Sequence, residues 1–318
     1  MGIELLMQNG KKIYAPGIEE GIKLKSVRKG TPGQLNFTAI NDGLLKFTEG
    51  NPVRFLVDGK KLFYGYVFEK KRSGRDTIDV VCYDQLRYFK NKDTYIYKNK
   101  TASQVLKMVC SDFGLKAGKI TDTKHVISKK LESNKTLFDI VQNALDETMQ
   151  SKGKLYVLYD DFGRICLTDV ADMKLNLLIC DETAEGFTYT SSIDKDVYNK
   201  IKLAYTNQKT GKIETYIAQD SKNINKWGVL QYYQSEQNNA GLKSKTNSLL
   251  KLYNRKSRNL TIKNAAGDIR VRAGCSLLVS LTLDDIRINN YMLVDEVTHT
   301  FKENVHTMDV KLIGGDFV

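Results

Sequence analysis

Between Pro52 and Phe68 apolar and polar residues alternate: Val53, Phe55 and Val57 are interleaved with Arg54, Leu56 and Asp58. A period of two is that of a strand with one buried face. Asp58-Gly59 supplies the positive φ angles that a two-residue hairpin turn needs, so a return strand is predicted over Leu62 to Phe68. That strand carries Phe63, Tyr64, Tyr66 and Phe68 around Gly65. Neighbours on a strand point to opposite faces, which puts Tyr64 and Tyr66 on one side and Phe63 with Gly65 on the other. A core can take only one of these faces. The two tyrosines are therefore expected to face outward, as candidate protein-interface residues, against the plainer reading of tyrosine hydroxyls reaching water beside a buried strand.

The same strand-like patterning runs from Ile3 to about Tyr97, punctuated by turn signals at Thr31-Pro32-Gly33 and Asn41-Asp42-Gly43. Short strands with no helix between them predict a small barrel or sandwich. The period then changes. Thr101 and Gln104 stand in capping-box positions before Val105, Leu106, Val109, Cys110 and Phe113, with Gly114 at the far end, and predict a helix. Thr136 and Asp139 open a second helix whose apolar stripe is Leu137, Ile140, Val141, Ala144, Leu145 and Met149, ending at Gly153. A hairpin follows around Asp161-Phe162-Gly163. From Val197 strands return, with one hairpin at Thr210-Gly211 and one helix in the segment carrying Leu249, Leu250 and Leu252.

The predicted fold is thus mainly β with an α+β insert. Two similar small β-barrel-like domains, 1–98 and 191–318, flank a helix-containing middle domain, 99–190. The similarity of the flanks rests on an internal repeat. Gly50 and Gly274 each lead into an alternating strand and an Asp-containing turn. Each is followed by a Tyr-led strand (Tyr64 to Phe68; Tyr291 to Val297), a polar turn and a Thr-led closing strand (Thr77 to Tyr83; Thr307 to Leu312). A duplicated meander from Gly50 to Asp84 and from Gly274 to Asp316 is expected.

With 318 residues, 41% hydrophobic and 27% charged, the chain can bury real cores. A formal net charge of +12 permits contact with nucleic acid or an anionic surface. The cations are scattered, though, and the basic runs Phe68 to Arg75 and Tyr253 to Arg258 look like loop and helix-end segments. The first residues lack a basic stretch followed by an apolar one, and no later run approaches membrane-spanning length, so synthesis in the cytoplasm without a signal peptide or membrane anchor is expected. Cys82, Cys110, Cys166, Cys180 and Cys275 form no C-x-x-C pair and read as reduced packing residues.

No phosphate-binding, hydrolase-elbow or zinc-protease motif is present. Asp112-Phe113-Gly114 and Asp161-Phe162-Gly163 spell the kinase metal-binding tripeptide, but one closes a helix and the other makes a turn. The acidic pairs Glu19-Glu20, Asp160-Asp161 and Asp284-Asp285 sit at predicted turns. A turn centred on Lys302-Glu303 would bring His299 and His306 opposite each other. Without a nearby third ligand this is expected to be an ordinary cross-strand pair, and neither metal nor cofactor is assigned.

The segment from "GQLNFTAI" through "FYGYVF" (Phe63 to Phe68) and "CYDQLRYFKNKDTY" (Cys82 to Tyr95), together with the "TLFDIVQNALDETM" helix, resembles the XkdQ-like baseplate hub proteins. These belong to contractile phage tails, defective prophages and phage-tail-like R-type bacteriocins, and are related to the late-control protein D hubs. The resemblance spans nearly the whole chain and brings no catalytic motif. It implies a non-enzymatic structural protein, a homotrimer whose two β-domains per chain make a pseudo-six-fold ring joining a three-fold spike to a six-fold tail tube. The implied partners are the trimeric spike protein, the tube protein and other baseplate components, with assembly into the baseplate and no specific nucleic acid. A tail-associated cell-wall hydrolase and a basic single-strand-binding barrel are the alternatives. The first lacks room for a separate lytic domain, and the second is separable by salt dependence.

Overall fold

In the computed structural model Val53, Phe55 and Val57 are buried while Arg54 and Asp58 are exposed, as the alternation requires. Asp58 and Gly59 make the turn with φ of 49° and 72°. The structure describes residues 1–314 apart from Glu20, Ser73, 181–185, 208–209, 237–238, Ala240 and 284–285.

The chain opens with strands β1 (Ile3–Asn9), β2 (Lys12–Tyr14), β3 (Ile22–Val27), β4 (Gln34–Ile40), β5 (Pro52–Val57), β6 (Lys60–Lys71) and β7 (Thr77–Tyr83). A 3-10 turn over Gln85–Lys90 leads to β8 (Lys92–Thr101), α1 (Ala102–Asp112), β9 (Ala117–Ile120), β10 (Val126–Thr136) and α2 (Leu137–Lys152). The hairpin β11 (Tyr156–Asp160) and β12 (Ile165–Asp169) follows, then β13 (Lys174–Cys180) and β14 (Gly186–Ser192). Next come β15 (Lys200–Thr206), β16 (Ile213–Gln219), α3 (Ser221–Trp227), β17 (Gln231–Glu236) and α4 (Leu242–Tyr253). The chain closes with β18 (Ser257–Ala266), β19 (Ser276–Leu283), β20 (Ile286–Lys302) and β21 (Val305–Gly314).

Both helices of the middle region start and stop where their side chains dictate. Thr101 Oγ1 accepts from the Gln104 N–H while Gln104 Oε1 accepts from the Thr101 N–H, a full capping box for α1. Thr136 caps α2, and Gly153 ends it at φ 66°. Their apolar faces meet in one core: Val105, Leu106 and Val109 pack with Leu137, Ile140, Val141 and Ala144, and with Tyr95 and Tyr97 of β8.

The β-units are joined edge to edge. One sheet runs in the order β14-β18-β21-β20-β3-β4-β7-β6-β5-β1-β2, with β19 beside the near half of β20 and β13 beside β19. Two copies of one arrangement are visible in it: β3-β4-β7-β6-β5-β1 and β14-β18-β21-β20-β19-β13. They differ at the end, because β1 lies antiparallel to β5 whereas β13 lies parallel to β19.

The equivalence reaches individual hydrogen bonds. Gly50 (φ 85°) donates to Val67 O at 2.7 Å and the Val67 N–H returns to Asn51 O at 2.9 Å; Gly274 (φ 94°) donates to Val294 O and the Val294 N–H returns to Cys275 O, both at 2.8 Å. The register shifts directly afterwards in both, between Val67 and Glu69 and between Val294 and Glu296. The meander expected from Gly50 and Gly274 is therefore present twice in the same order, though Asp316 lies outside the described residues.

The mainly β fold is as expected, and its two similar units are open. No closed barrel forms among the described residues; β20 outruns its own unit and its far half adds to β3, with Glu296 to Phe301 antiparallel to Val27 to Ile22. In the amino-terminal unit the outer edge of β3, which would have to close a cylinder, is taken by β20. Phe301 ends buried in the amino-terminal core among Leu35, Phe55, Val80 and others. The carboxy-terminal core combines Leu260, Val279, Val294 and Leu312 with Leu155, Val157, Val170 and Ile179. A smaller cluster, Ile201, Leu203, Leu242 and Leu249, holds α4 on β15.

Candidate assembly interface

Phe63, Gly65 and Val67 of β6 are buried toward the amino-terminal core, and Tyr64, Tyr66 and Phe68 lie half-buried on the other face. Glycine is required at the centre. A Cβ on Gly65 would stand 2.3 Å from Tyr83 O and 2.6 Å from Phe63 Cζ.

The opposite face is lined by rings of the same chain. Tyr64 packs against Tyr66 (ring centroids 5.8 Å apart) and Phe162 (5.7 Å), Tyr66 against Tyr88 (6.5 Å), and Phe68 against Tyr83 (5.5 Å) and Tyr88 (6.3 Å). Cations cover this cluster, with Lys61 over Phe162, Arg87 over Phe68 and Lys90 over Tyr83. Burial and the neighbouring Tyr64 push the Tyr66 phenol up to about 12. Alternation alone could not reveal this packing in cis. The signal for it is Phe162, a large ring at a turn tip with φ 47°, where a solvated turn has no use for one.

Beneath the rings the three parts of the chain meet in a polar joint. Asp84 Oδ2 accepts from the Gly33 N–H (2.8 Å) and Oδ1 from the Leu86 N–H (2.9 Å), while the Gln85 side chain donates to Gly163 O. Asp160 Oδ1 accepts from the Gly163 N–H at 2.6 Å. Arg272, from the carboxy-terminal unit, donates to Asp160 O at 2.7 Å and lies 4.1 Å from the Tyr159 ring. Burial raises the Asp84 carboxyl well above its usual range, with Asp160 adding to it, and burial lifts Asp160 to about 6 against the opposing hydrogen bonds and Arg272. The adjoining cavity of about 270 Å³ is lined by Lys61, Tyr64, Asp84, Asp160, Arg272 and His299, among others.

The histidines do meet, by a different register. Glu303 and Asn304, both at positive φ, form the turn, so His306 stands opposite Phe301 and His299 opposite Met308. The contact is diagonal, His299 Nδ1 to His306 Nε2 at 2.9 Å. Since His299 Nε2 lies 2.9 Å from Val271 O, it must donate there, which leaves Nδ1 to accept from His306. Burial holds His299 down at about 4 and also lowers His306. No group of three or more metal-binding side chains occurs among the described residues.

The other candidates fall apart spatially. Asp112-Phe113-Gly114 ends α1, and Asp161-Phe162-Gly163 is the β11–β12 turn. Glu20 and the Asp284-Asp285 pair lie outside the described residues. The first basic run finishes β6 and enters the following loop, of which Ser73 is not described, and the second joins α4 to β18. No helix among the described residues is long and apolar enough to cross a membrane.

This architecture is found in solved tail proteins. The chain matches the 43 kDa tail protein of prophage MuSo2 from Shewanella oneidensis with a TM-score of 0.73, covering 99% of both chains at 14% identity. An Escherichia coli component of the type VI secretion system, described as structurally similar to the bacteriophage T4 tail proteins gp27 and gp5, matches with a TM-score of 0.60 over 99% of this chain and 78% of that one, at 9% identity. Fold and homology together define a phage tail and baseplate-type protein. More narrowly, the chain belongs to the YQBQ-like family, whose model matches residues 22–313. The phage-like element PBSX protein XkdQ of Bacillus subtilis (strain 168) is 30% identical over 308 residues, 93% of this chain and 92% of that protein.

Proposed function

We propose that this chain is the baseplate hub of a contractile phage tail or phage-tail-like particle. Three copies form a ring of six similar β-units that joins a three-fold spike to a six-fold tail tube. The observation that carries this reading is the repeated strand order, β3-β4-β7-β6-β5-β1 and β14-β18-β21-β20-β19-β13, within one chain. Two like units per chain are what convert a three-fold assembly into one that presents six similar surfaces. Similarity to the PBSX protein XkdQ, from a phage-like element, supports the setting.

In this reading the role is structural and not catalytic, and the spread-out positive charge serves contacts with acidic tail components. Tyr64 and Tyr66 belong to the seam between the amino-terminal and middle units, with their uncovered surface available to a neighbouring subunit. The test is co-expression with spike and tube proteins from the same tail particle, followed by mass measurement of the purified complex. Three copies of this chain per spike are expected, and one or six would refute the reading. The same preparation is expected not to clear peptidoglycan; turnover that persists through purification and is abolished by one point mutation would favour the hydrolase alternative.

A further inference from the structure

The amino-terminal unit receives something that its duplicate lacks. β3 is covered by β4 on one side and by the far half of β20 on the other. Its counterpart is β14, because the chain of cross-strand partners Leu24, Leu35 and Cys82 through β3, β4 and β7 repeats as Tyr189, Leu260 and Leu312 through β14, β18 and β21. Among the described residues β14 pairs only with β18.

The exposed edge carries the mark of a missing partner. Two residues before Leu24 stands Ile22, 3% exposed in the amino-terminal core; two residues before Tyr189 stands Phe187, 50% exposed. The β14 sequence, GFTYTSS, carries no charge and no proline, so it does not itself block pairing with another chain; the charges that keep the complementary edge from indiscriminate pairing, Glu69, Lys70 and Lys71, lie on β6.

The complementary edge is on β6. The matched bonds of Val67 and Val294 make Glu69 to Lys71 the counterpart of Glu296 to Thr298, the stretch of β20 that binds β3. Those three residues of β6 pair with β7 on one side, while β5 reaches only as far as Tyr66 on the other.

We propose that β14 of one copy adds antiparallel to Glu69–Lys71 of a second copy, repeating between chains the β3–β20 ladder formed within the chain. Glu296, Val297 and Thr298 stand opposite Val27, Ser26 and Lys25. Transferred to the duplicate, this register sets Glu69 opposite Ser192, Lys70 opposite Ser191 and Lys71 opposite Thr190. Each copy then offers β14 to one neighbour and β6 to the other, a head-to-tail contact that closes into a ring when the rotation per copy divides the circle. Closure at three copies rests on the hub reading, whereas the edge contact stands on the repeat alone.

Paired cysteines test the register in the full chain. Successive pairs in an antiparallel ladder alternate in spacing, so one of Lys70→Cys/Ser191→Cys and Lys71→Cys/Thr190→Cys comes to disulfide distance. Oxidation is expected to give covalent oligomers from one double variant and none from the four single variants. Phe187→Lys, at an exposed position, is expected to leave the melting temperature of the free chain unchanged and to weaken self-association about tenfold or more by light scattering. Oligomers that neither cross-link nor respond to Phe187→Lys would overturn the edge contact and leave the hub reading standing. A chain that stays monomeric at every concentration and in complex with its tail partners would overturn both.

Discussion

Phe301 meets Phe55 edge to face, ring centroids 5.2 Å apart and planes at 68°, although the two residues come from the last and the first β-units of the chain. The contact lies inside the amino-terminal core, so that core is incomplete without the final hairpin. Phe301→Ala is expected to cost about 3–5 kcal/mol, the usual loss for a buried phenylalanine. Hydrogen exchange should then quicken in β3 to β7 as well as in β20. Faster exchange confined to the carboxy-terminal unit would show that the two cores are not coupled through this ring.

At Gly65 the expectation is purely steric. A methyl group there collides with the Tyr83 carbonyl oxygen and the Phe63 ring, and the backbone oxygen cannot swing aside as a flexible side chain would. Gly65→Ala should destabilise by more than about 2 kcal/mol in urea unfolding. A change within experimental error would mean that β6 and β7 can separate without loss.

The outward tyrosines make a separable prediction. Because Tyr64 contacts Phe162 and Tyr66 contacts Tyr88 in the same chain, Tyr64→Ala/Tyr66→Ala should lower the melting temperature of the isolated protein by several degrees, corresponding to about 1–3 kcal/mol. An unchanged melting temperature with impaired assembly would assign these rings wholly to a partner.

Acid should weaken the fold through His299. Its pKa in the folded chain, about 4, lies below the ordinary 6.5, so the unfolded chain takes up the proton first. Stability from this group is complete above pH 6.5 and falls as pH drops through 4, by about 3 kcal/mol at ~1.4 kcal/mol per unit. Urea unfolding from pH 7 to pH 4 reads this slope. His299→Leu should reduce it, and an identical slope in the variant would remove His299 as its cause.

Asp160 works in the opposite sense. Its pKa in the folded chain, about 6, exceeds the ordinary 3.8, so its contribution is fully present below pH 3.8 and is lost as pH rises through 6. The buried Oδ2 also has no hydrogen-bond partner within the chain. Asp160→Asn is therefore expected to be more stable than the parent at pH 8, by about 2 kcal/mol, with the advantage fading toward pH 4. A variant less stable than the parent at pH 8 would show that Arg272 stabilises the ionised carboxylate enough to offset its burial.

What the sequence made legible followed from local rules. Thr101 with Gln104 and Thr136 with Gly153 announce both helices of the middle region, since caps depend on neighbours a few residues away. The repeat was readable from Gly50 and Gly274 because a positive φ before a strand restricts residue choice. By contrast, α3 buries no residue and so leaves no apolar stripe to find. The pairing of β13 with β19 and the cover that Phe162 gives Tyr64 are contacts between distant segments, which no period can encode. The histidine register failed by the position of one turn: Glu303-Asn304 replaces Lys302-Glu303, and every cross-strand partner shifts with it.

The reach of β20 across both units also sets an order in time. A nascent chain leaving the ribosome can pair β3 with β4 at once, but the other edge of β3 must wait for Glu296 to Phe301 of β20, made after every other strand of that unit. Until then the amino-terminal core lacks Phe301 and one edge of β3 is unfilled. Completion of the amino-terminal unit is thereby tied to synthesis of β20, so a product that stops short of this strand cannot present a finished amino-terminal unit.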